Sequence, residues 1–267
     1  MNNLKDKKLF LLDLDGTLYV SEKIIGKSLK FLDAVTENGG KYMFLTNNSS
    51  KSVDTYIERL NKIGFKAAED NFFTSAQATA YYIEKKYGKG IRAYVVGTES
   101  FKKSLLKDGF NITDELDDGI ELLVVGFDTE LTYKKLEEAC ILIQRGVEYI
   151  ATNPDLACPS ENGFIPDCGA ITACIEAATG KKPHYAGKPD PTMVYMAAEK
   201  SGFSLDEACM IGDRLYTDIA IGNNAGITSV AVLTGETTKE EIAAAQGELV
   251  PDIVCNSIDD IYYMIKK

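Results

Sequence analysis

The sequence predicts an α/β fold, in which helices cover a parallel sheet and a second α/β domain is inserted into the first. Short apolar runs alternate with helical stripes over residues 8–63, as is typical of a parallel sheet with helices on both faces. The same alternation returns over residues 191–255. A chain of 267 residues is also long for one compact unit, which favours two domains or one domain with a large insertion.

Each element of the core is predicted from its own pattern. A run of apolar residues before a polar turn predicts a buried strand, and apolar residues three or four apart predict a helix. Glycines at 39–40, 64 and 202 predict helix ends, and Pro191 predicts a helix start. The predicted core strands are residues 8–12, 42–45, 208–211, 229–233 and 253–255. The predicted core helices are residues 28–38, 53–63 and 191–201.

The middle of the chain has an alternation of its own, which predicts the inserted domain. Its predicted strands are residues 92–96, 121–125 and 149–151, with a hairpin arm at 163–166. Its predicted helices are residues 101–107, 133–145 and 170–179. We therefore expect a core built from residues 1–78 and 181–267, with residues 79–180 forming the inserted α/β domain.

Composition excludes several classes of protein. The net charge of −11 argues against binding nucleic acid or anionic membranes by bulk electrostatics. We find no signal peptide and no apolar run of the roughly 20 residues that a membrane span needs, which predicts a cytoplasmic protein.

The six cysteines show no CxxC spacing and are expected to be reduced thiols. Because His184 is the single histidine, hydrolytic chemistry is expected to depend on carboxylates.

Two carboxylates follow the first predicted strand. Asp13 and Asp15 are two residues apart and therefore point the same way from an extended segment. Gly16 permits a tight turn whose amides can face an anion. One aspartate could act as a nucleophile and the other as a proton donor and acceptor. Taken alone, such a pair is more often a turn or a helix cap.

Polar residues also follow three further predicted elements. Thr46 and Asn47 suit a phosphate oxygen, although such a pair often caps a helix. Lys188 could act as a point charge on phosphate, or it could be an exposed loop lysine. Asp213 and Asp218 could hold Mg²⁺, one directly and one as a helper, or they could be capping or solvated acids. Because strand ends of an open α/β sheet share one edge, these residues could converge on one site.

These four motifs, in this order and spacing, resemble those of the haloacid dehalogenase (HAD) superfamily. The resemblance covers the whole chain, and the insertion between Thr46 and Lys188 resembles the C2-cap class IIA, in its NagD-like or p-nitrophenyl phosphatase branch. It implies a Rossmann-like core with an inserted C2-type α/β cap domain. It also implies a Mg²⁺-dependent phosphatase acting on a small phosphorylated metabolite, and it allows a homodimer formed through the cap.

The resemblance also implies a role for each motif residue. Asp13 would form an aspartyl-phosphate and Asp15 would act as general acid and base. The metal ligands would be Asp13, the Asp15 backbone carbonyl and Asp213, with Asp218 acting indirectly. The phosphate would be held by Asp15, Gly16, Thr46, Asn47 and Lys188.

Specificity is expected to come from the cap. By resemblance, the segments that carry Phe127, Asp128, Asn153 and Cys158 would face the core. Phe127 could stack on a flat substrate, although an aromatic residue after a strand often serves packing instead.

Three other functions remain open from the sequence. A phosphotransferase or mutase of the same superfamily would use the same motifs with an acceptor other than water. A phosphoacceptor signalling domain also combines strand-end acids, a hydroxyl and a lysine, but such domains are shorter and lack an insertion. A binding protein without catalysis is disfavoured, because all the expected catalytic carboxylates are present.

Overall fold

The computed structural model describes residues 3–50, 53–160 and 163–266. The chain divides into two compact units. The first unit contains Met1–Thr46, Val53–Phe73 and Lys188–Lys267. The second unit contains Asn47–Ser52 and Thr74–Gly187. The second unit therefore lies within the sequence of the first.

The first unit is built on a six-stranded sheet. In spatial order its strands are Ile253–Cys255, Thr228–Val232, Ala208–Gly212, Leu9–Leu12, Lys41–Thr46 and Phe72–Thr74. The pairs among the first five of these strands are parallel. The chain leaves the central strand Leu9–Leu12 toward one side of the sheet and returns on its other side at Ala208–Gly212. Such a reversal of strand order is where ligands bind in open α/β sheets.

Both faces of the central strand are buried, which explains its unbroken apolar sequence. Phe10 and Leu12 pack in a cluster with Phe31 and Ile261 from two helices. Leu9 and Leu11 alternate with them, point to the opposite face and are fully buried. The first unit is thus an α/β layer structure, as the sequence predicts.

The helices of the first unit follow its strands. The α-helices are Ser28–Glu37, Val53–Lys62, Thr192–Ser201, Ala220–Asn224, Lys239–Ala244 and Ile258–Ile265. A π-helical turn, Leu215–Ile219, precedes the helix at Ala220. Short 3-10 turns lie at Leu4–Asp6, Glu69–Asn71, Leu205–Glu207 and Gly247–Leu249. A small antiparallel hairpin pairs Tyr19–Val20 with Lys23–Ile24.

The second unit has its own five-stranded parallel sheet. In spatial order its strands are His184–Tyr185, Glu148–Ala151, Leu122–Val125, Arg92–Val96 and Asn111–Thr113. Its α-helices are Ser75–Tyr87, Glu99–Lys107, Tyr133–Gln144 and Cys168–Thr179. An antiparallel hairpin pairs Ala157–Ser160 with Gly163–Pro166.

The domain boundaries predicted from the sequence differ from the limits of the second unit. The predicted start at residue 79 falls inside the continuous helix Ser75–Tyr87, whose N-cap Thr74 begins this part of the second unit. The predicted end at residue 180 omits the strand His184–Tyr185, which pairs with Glu148–Ala151. The structure also places Asn47–Ser52 in the second unit. The strand His184–Tyr185 has too few residues for a readable apolar period.

Candidate active site

Lys188 lies between two carboxylates in the first unit. Its Nζ is 2.6 Å from Asp13 Oδ1 and 2.6 Å from Asp218 Oδ1. The Lys188 side chain is 3% exposed and that of Asp218 is fully buried, whereas that of Asp13 is 15% exposed. Burial would lower the pKa of Lys188, but Asp13 and Asp218 more than offset that effect and raise it. Lys188 is therefore a buried cation and not the exposed loop lysine of the alternative interpretation.

Asp213 lies in a close-fitting cradle of backbone. Its Oδ2 accepts a hydrogen bond from the Glu236 backbone N–H at 2.7 Å. Its Oδ1 accepts one from the Thr17 hydroxyl at 3.3 Å. A Cβ atom on Gly16 would lie 2.5 Å from Asp213 Oδ2, and one on Gly235 would lie 1.9 Å away. Both positions therefore need glycine for Asp213 to keep this place.

Asp218 is held from two directions. One oxygen accepts the Lys188 hydrogen bond, and Oδ2 accepts the Arg214 backbone N–H at 3.1 Å. The residue belongs to the π-helical turn Leu215–Ile219, a type of local distortion that is frequent at functional sites. Asp218 thus bonds both the backbone just before its own helical turn and the buried lysine.

Oxygen atoms of three carboxylates converge at this point. Ligand atoms of Asp13, Asp213 and Asp218 all lie within 4.8 Å of one another. The pKa of Asp213 is raised to about 6 and that of Asp218 to about 7. Burial is the larger cause for both groups, and the negative charge of Asp13 is the second. Lys188 acts in the opposite direction on both groups.

The donor set of this cluster fits a hard divalent cation. Mg²⁺ prefers oxygen ligands and is usually held by one or two carboxylates together with waters and substrate phosphate. The three carboxylates lie close enough to repel one another, and the charge of Asp13 is one cause of the raised pKa values of Asp213 and Asp218. A divalent cation bound here would offset this repulsion. Asp13 is the most accessible of the three carboxylates, whereas Asp213 is 3% exposed and Asp218 is fully buried.

Asp15 remains accessible to solvent beside this cluster. Its Oδ2 lies 3.4 Å from the Tyr19 hydroxyl. The pKa of Asp15 is raised, mainly because protein packs around the carboxylate and secondly because of the negative charge of Asp13. Arg59 and the Tyr19 hydrogen bond act in the opposite direction. An aspartate that acts as both acid and base near neutrality needs a raised pKa, and the pKa of Asp15 is shifted in that direction.

The structure places Thr46 and Gly16 in the first unit with the carboxylates. Thr46 is the last residue of the strand Lys41–Thr46 and is half-buried. Gly16 adopts φ of +84°, and its carbonyl accepts a hydrogen bond from the Thr234 hydroxyl. Their predicted phosphate contacts remain predictions.

Asn47 belongs to the second unit, where its side chain is already engaged. Its Nδ2 donates to Asp155 Oδ2 at 2.7 Å, and Asn153 Nδ2 donates to the same oxygen at 2.9 Å. Asn153 also donates to Asp167, the N-cap of the helix Cys168–Thr179. The next helix after Asn47 among the described residues begins at Val53, so Asn47 is not a helix cap.

The structure places three of the four predicted specificity residues in the interior of the second unit. Phe127 is 2% exposed and packs in an apolar cluster, which is the packing role that the sequence left open. Asp128 is paired with Lys135 at 2.7 Å, and Asn153 is fully buried. Cys158 is partly exposed and lies 3.7 Å from Asn48 Nδ2. Stacking of Phe127 on a substrate would need an exposed ring, which this position does not offer.

Sequence reasoning missed the groups that hold the acids in place. Thr17 and the segment Thr234–Glu236 support Asp213 and Gly16, and Tyr19 approaches Asp15. Thr234 and Gly235 follow the strand Thr228–Val232, so the same strand-end rule could have identified them. Tyr19 lies in a two-residue strand that has no readable period.

Comparison with known proteins places this arrangement in a family. Residues 10–111 match the family model of haloacid dehalogenase-like hydrolases, and residues 185–261 match a HAD-hydrolase-like model. An acid sugar phosphatase of Staphylococcus aureus is 35% identical, with 90% of this chain and 91% of that protein covered. The structure of a 4-nitrophenylphosphatase from Thermotoga maritima is 40% identical with a TM-score of 0.91, covering 98% and 99% of the two chains. A glycerol phosphate phosphatase from Mycobacterium tuberculosis, solved with magnesium, is 29% identical with a TM-score of 0.89, covering 98% and 79%.

The chain therefore belongs to the haloacid dehalogenase-like hydrolases. Within them it is a class IIA, NagD-like phosphatase, an enzyme that acts on phosphoric monoester bonds. The resemblance seen in the sequence is confirmed, and the non-enzymatic alternatives fall with it. Among the described residues, none of the helices is both long and apolar enough to cross a membrane.

Proposed function

We propose that the enzyme hydrolyses a small phosphate monoester with Mg²⁺, and that the phosphoryl group passes through the Asp13 carboxylate. The observation that carries the proposal is the convergence of Asp13, Asp213 and Asp218, together with the bonds from the buried Lys188 ammonium to Asp13 and Asp218. Asp13 is the most exposed of the three carboxylates, so it is the one that a substrate could reach. A phosphatase needs such positioned charge more than it needs new covalent chemistry.

Asp13 supplies the nucleophile in this proposal. Lys188 donates to Oδ1, which leaves Oδ2 as the attacking oxygen. The bond from Oδ2 to phosphorus forms while the bond from phosphorus to the leaving oxygen breaks. Asp15, protonated at the start, gives its proton to the leaving oxygen. The products of this step are an alcohol and an aspartyl-phosphate on Asp13.

Asp15 then serves as the base for the second step. It takes a proton from a water molecule, whose oxygen attacks the phosphorus of the aspartyl-phosphate. The bond to Asp13 breaks, inorganic phosphate leaves, and Asp15 is protonated again. A carboxylate that both donates and accepts a proton near neutrality needs a raised pKa, and the pKa of Asp15 is raised by its surroundings and by Asp13.

The remaining residues bind and orient. Lys188 would hold a phosphoryl oxygen and the nucleophile together, while Gly16 and Thr46 would contact the other phosphoryl oxygens. Asp13, the Asp15 carbonyl and Asp213 would hold the Mg²⁺, with Asp218 supporting the site through Lys188. When bound, the metal offsets the repulsion between Asp13 and the substrate phosphate.

The names of the relatives suggest which small phosphate monoesters to test. The proteins that this chain resembles are named as an acid sugar phosphatase, a 4-nitrophenylphosphatase and a glycerol phosphate phosphatase. We propose sugar phosphates and other small alkyl phosphates as the substrates to test first. The cytoplasmic location and the cap-mediated homodimer stay predictions.

The experiment measures p-nitrophenyl phosphate hydrolysis with Mg²⁺, with EDTA, and by the Asp13→Asn variant. Hydrolysis that needs Mg²⁺ and is lost in the variant supports the proposal. Asp70→Asn is a matched control, because the Asp70 side chain is 96% exposed and its carboxylate pairs only weakly with Lys200 at 3.4 Å. If Asp13→Asn retains full activity while folded, the proposed nucleophile is wrong.

A further inference from the structure

The Tyr19 hydroxyl has one hydrogen-bond partner among the described residues, and that partner is the Asp15 carboxylate. The Tyr19 residue is fully buried, and its hydroxyl lies 3.4 Å from Asp15 Oδ2. A buried phenol normally finds a partner for its O–H group, because leaving the group unpaired costs free energy. The contact is long, as catalytic hydrogen bonds often are before a substrate is bound.

The backbone brings these two side chains together. The Gly16 N–H donates to the Tyr19 carbonyl at 2.8 Å, and the Leu18 N–H donates to the Leu14 carbonyl at 2.9 Å. Asp15 and Tyr19 also form an isolated bridge. The loop that carries Asp15 is therefore closed on itself, and its geometry fixes how far the phenol lies from the carboxylate.

The Tyr19 ring is in turn held by its neighbours. The Arg59 guanidinium lies over the ring at 5.3 Å, and the Phe65 ring lies 6.1 Å away. Arg59 also donates to the Ser21 carbonyl at 2.9 Å, which attaches the hairpin after Tyr19 to the helix Val53–Lys62. A cation over an aromatic face and a packed ring both restrict rotation of the phenol.

Asp15, in contrast, keeps an exposed side chain. An exposed aspartate can rotate among several side-chain conformations, whereas proton transfer needs one geometry held within a fraction of an ångström. A hydrogen bond from a rigid, buried phenol to Oδ2 would select one conformation and leave Oδ1 for the proton.

We infer that Tyr19 is a positioning residue, which orients the Asp15 carboxylate for both proton transfers. The inference rests on the proposed function of Asp15. Both steps require Asp15, so loss of the Tyr19 hydroxyl slows turnover of every substrate, including those with a good leaving group. We expect substrate binding to change little, because Gly16, Thr46 and Lys188 also hold the phosphate in the proposed function.

The test compares Tyr19→Phe with the native enzyme on p-nitrophenyl phosphate and glycerol phosphate. Phenylalanine keeps the ring and its contacts with Arg59 and Phe65, so the fold is retained. We expect kcat to fall about tenfold for both substrates, a small part of the 10²–10⁴-fold that general acid–base catalysis supplies, with KM within about twofold. Tyr42→Phe is the matched control, since the Tyr42 hydroxyl donates to the Lys66 carbonyl, and it should leave both constants unchanged.

A double-mutant cycle separates positioning from a structural effect. If Tyr19 acts through Asp15, adding Tyr19→Phe to Asp15→Asn lowers the residual rate no further. An undiminished kcat in Tyr19→Phe, or an equal further loss in the double variant, overturns the inference. If Asp13→Asn abolishes turnover and Asp15→Asn slows it strongly while Tyr19→Phe matches the native enzyme, the inference fails and the proposed function stands. If Asp13→Asn is fully active, the proposed function itself fails.

Discussion

Lys188 Nζ lies 2.6 Å from Asp13 Oδ1, with the ammonium almost completely buried. The same nitrogen is equally close to Asp218, so one cation is shared by two acids. This contact fixes the carboxylate that we propose as the nucleophile and supplies positive charge in a protein of net charge −11.

Replacement of Lys188 by Met should lower kcat/KM at least about 100-fold, because a preorganised charge of this kind is worth about 10²–10³-fold in rate. Lys188→Arg should not restore activity, because a planar guanidinium does not replace a compact ammonium in a site with so little free surface. Steady-state kinetics with p-nitrophenyl phosphate measure both effects. Lys200→Met, at a half-exposed lysine, should behave as the native enzyme does. Rescue by arginine would contradict the close fit at Lys188.

A methyl group at residue 235 should weaken the metal site. The added Cβ of Gly235→Ala would lie 1.9 Å from Asp213 Oδ2 and would displace that carboxylate. We expect the Mg²⁺ concentration for half-maximal activity to rise at least about tenfold, which corresponds to about 1.4 kcal/mol of lost binding free energy. Gly90→Ala is the matched control, because a Cβ there meets no atom within 4 Å. An unchanged Mg²⁺ requirement in Gly235→Ala would show that Asp213 does not hold the metal.

Asp15→Asn should separate the two chemical steps. The p-nitrophenolate leaving group needs little protonation, so phosphorylation of Asp13 should continue, whereas dephosphorylation lacks its base. We expect a burst of about one p-nitrophenol per enzyme followed by very slow turnover, and no such burst with an alkyl phosphate. Rapid quench or stopped-flow absorbance measures the burst. Steady turnover of an alkyl phosphate by this variant would exclude Asp15 as the general acid.

The cysteines should differ sharply in reactivity toward a thiol reagent. Cys174 is exposed, whereas Cys168 and Cys209 are buried, and burial raises the pKa of each of these two thiols to about 12. Because the thiolate is the reactive form, we expect Cys174 to be modified first at pH 8 and Cys168 and Cys209 to react only after denaturation. Peptide mass mapping of timed alkylation measures the order. Early modification of Cys168 in the folded protein would contradict its burial.

The convergence of Asp13 and Asp213 was predictable because the rule that brings them together is topological. Parallel strands end at one edge, so Asp13 and Asp213 must be neighbours once their strands are adjacent. The apolar runs that define those strands are long enough to recognise from sequence. The family resemblance added the role of Lys188, whose position after a loop no local pattern explains.

The parts that could not be predicted depend on distant contacts. The Asn47 amide is held by Asp155, 108 residues further along the chain, and no sequence period encodes such a pair. The burial of Phe127 follows from packing within the second unit and not from its neighbours in sequence. Tyr19 was missed because its hairpin strands contain two residues each. Short elements are specified by turn geometry, which a hydrophobic pattern does not report.

The central claim, that the phosphoryl group is carried by Asp13, is tested most directly by chemical trapping. The Asp15→Asn variant, loaded with Mg²⁺ and p-nitrophenyl phosphate, is quenched in its burst phase and reduced with borohydride, which converts an aspartyl-phosphate to homoserine. Peptide mass spectrometry should find homoserine at position 13, and none there without substrate or in Asp13→Asn/Asp15→Asn. A burst of p-nitrophenol without homoserine at position 13, or with the modification at another aspartate, would contradict the account.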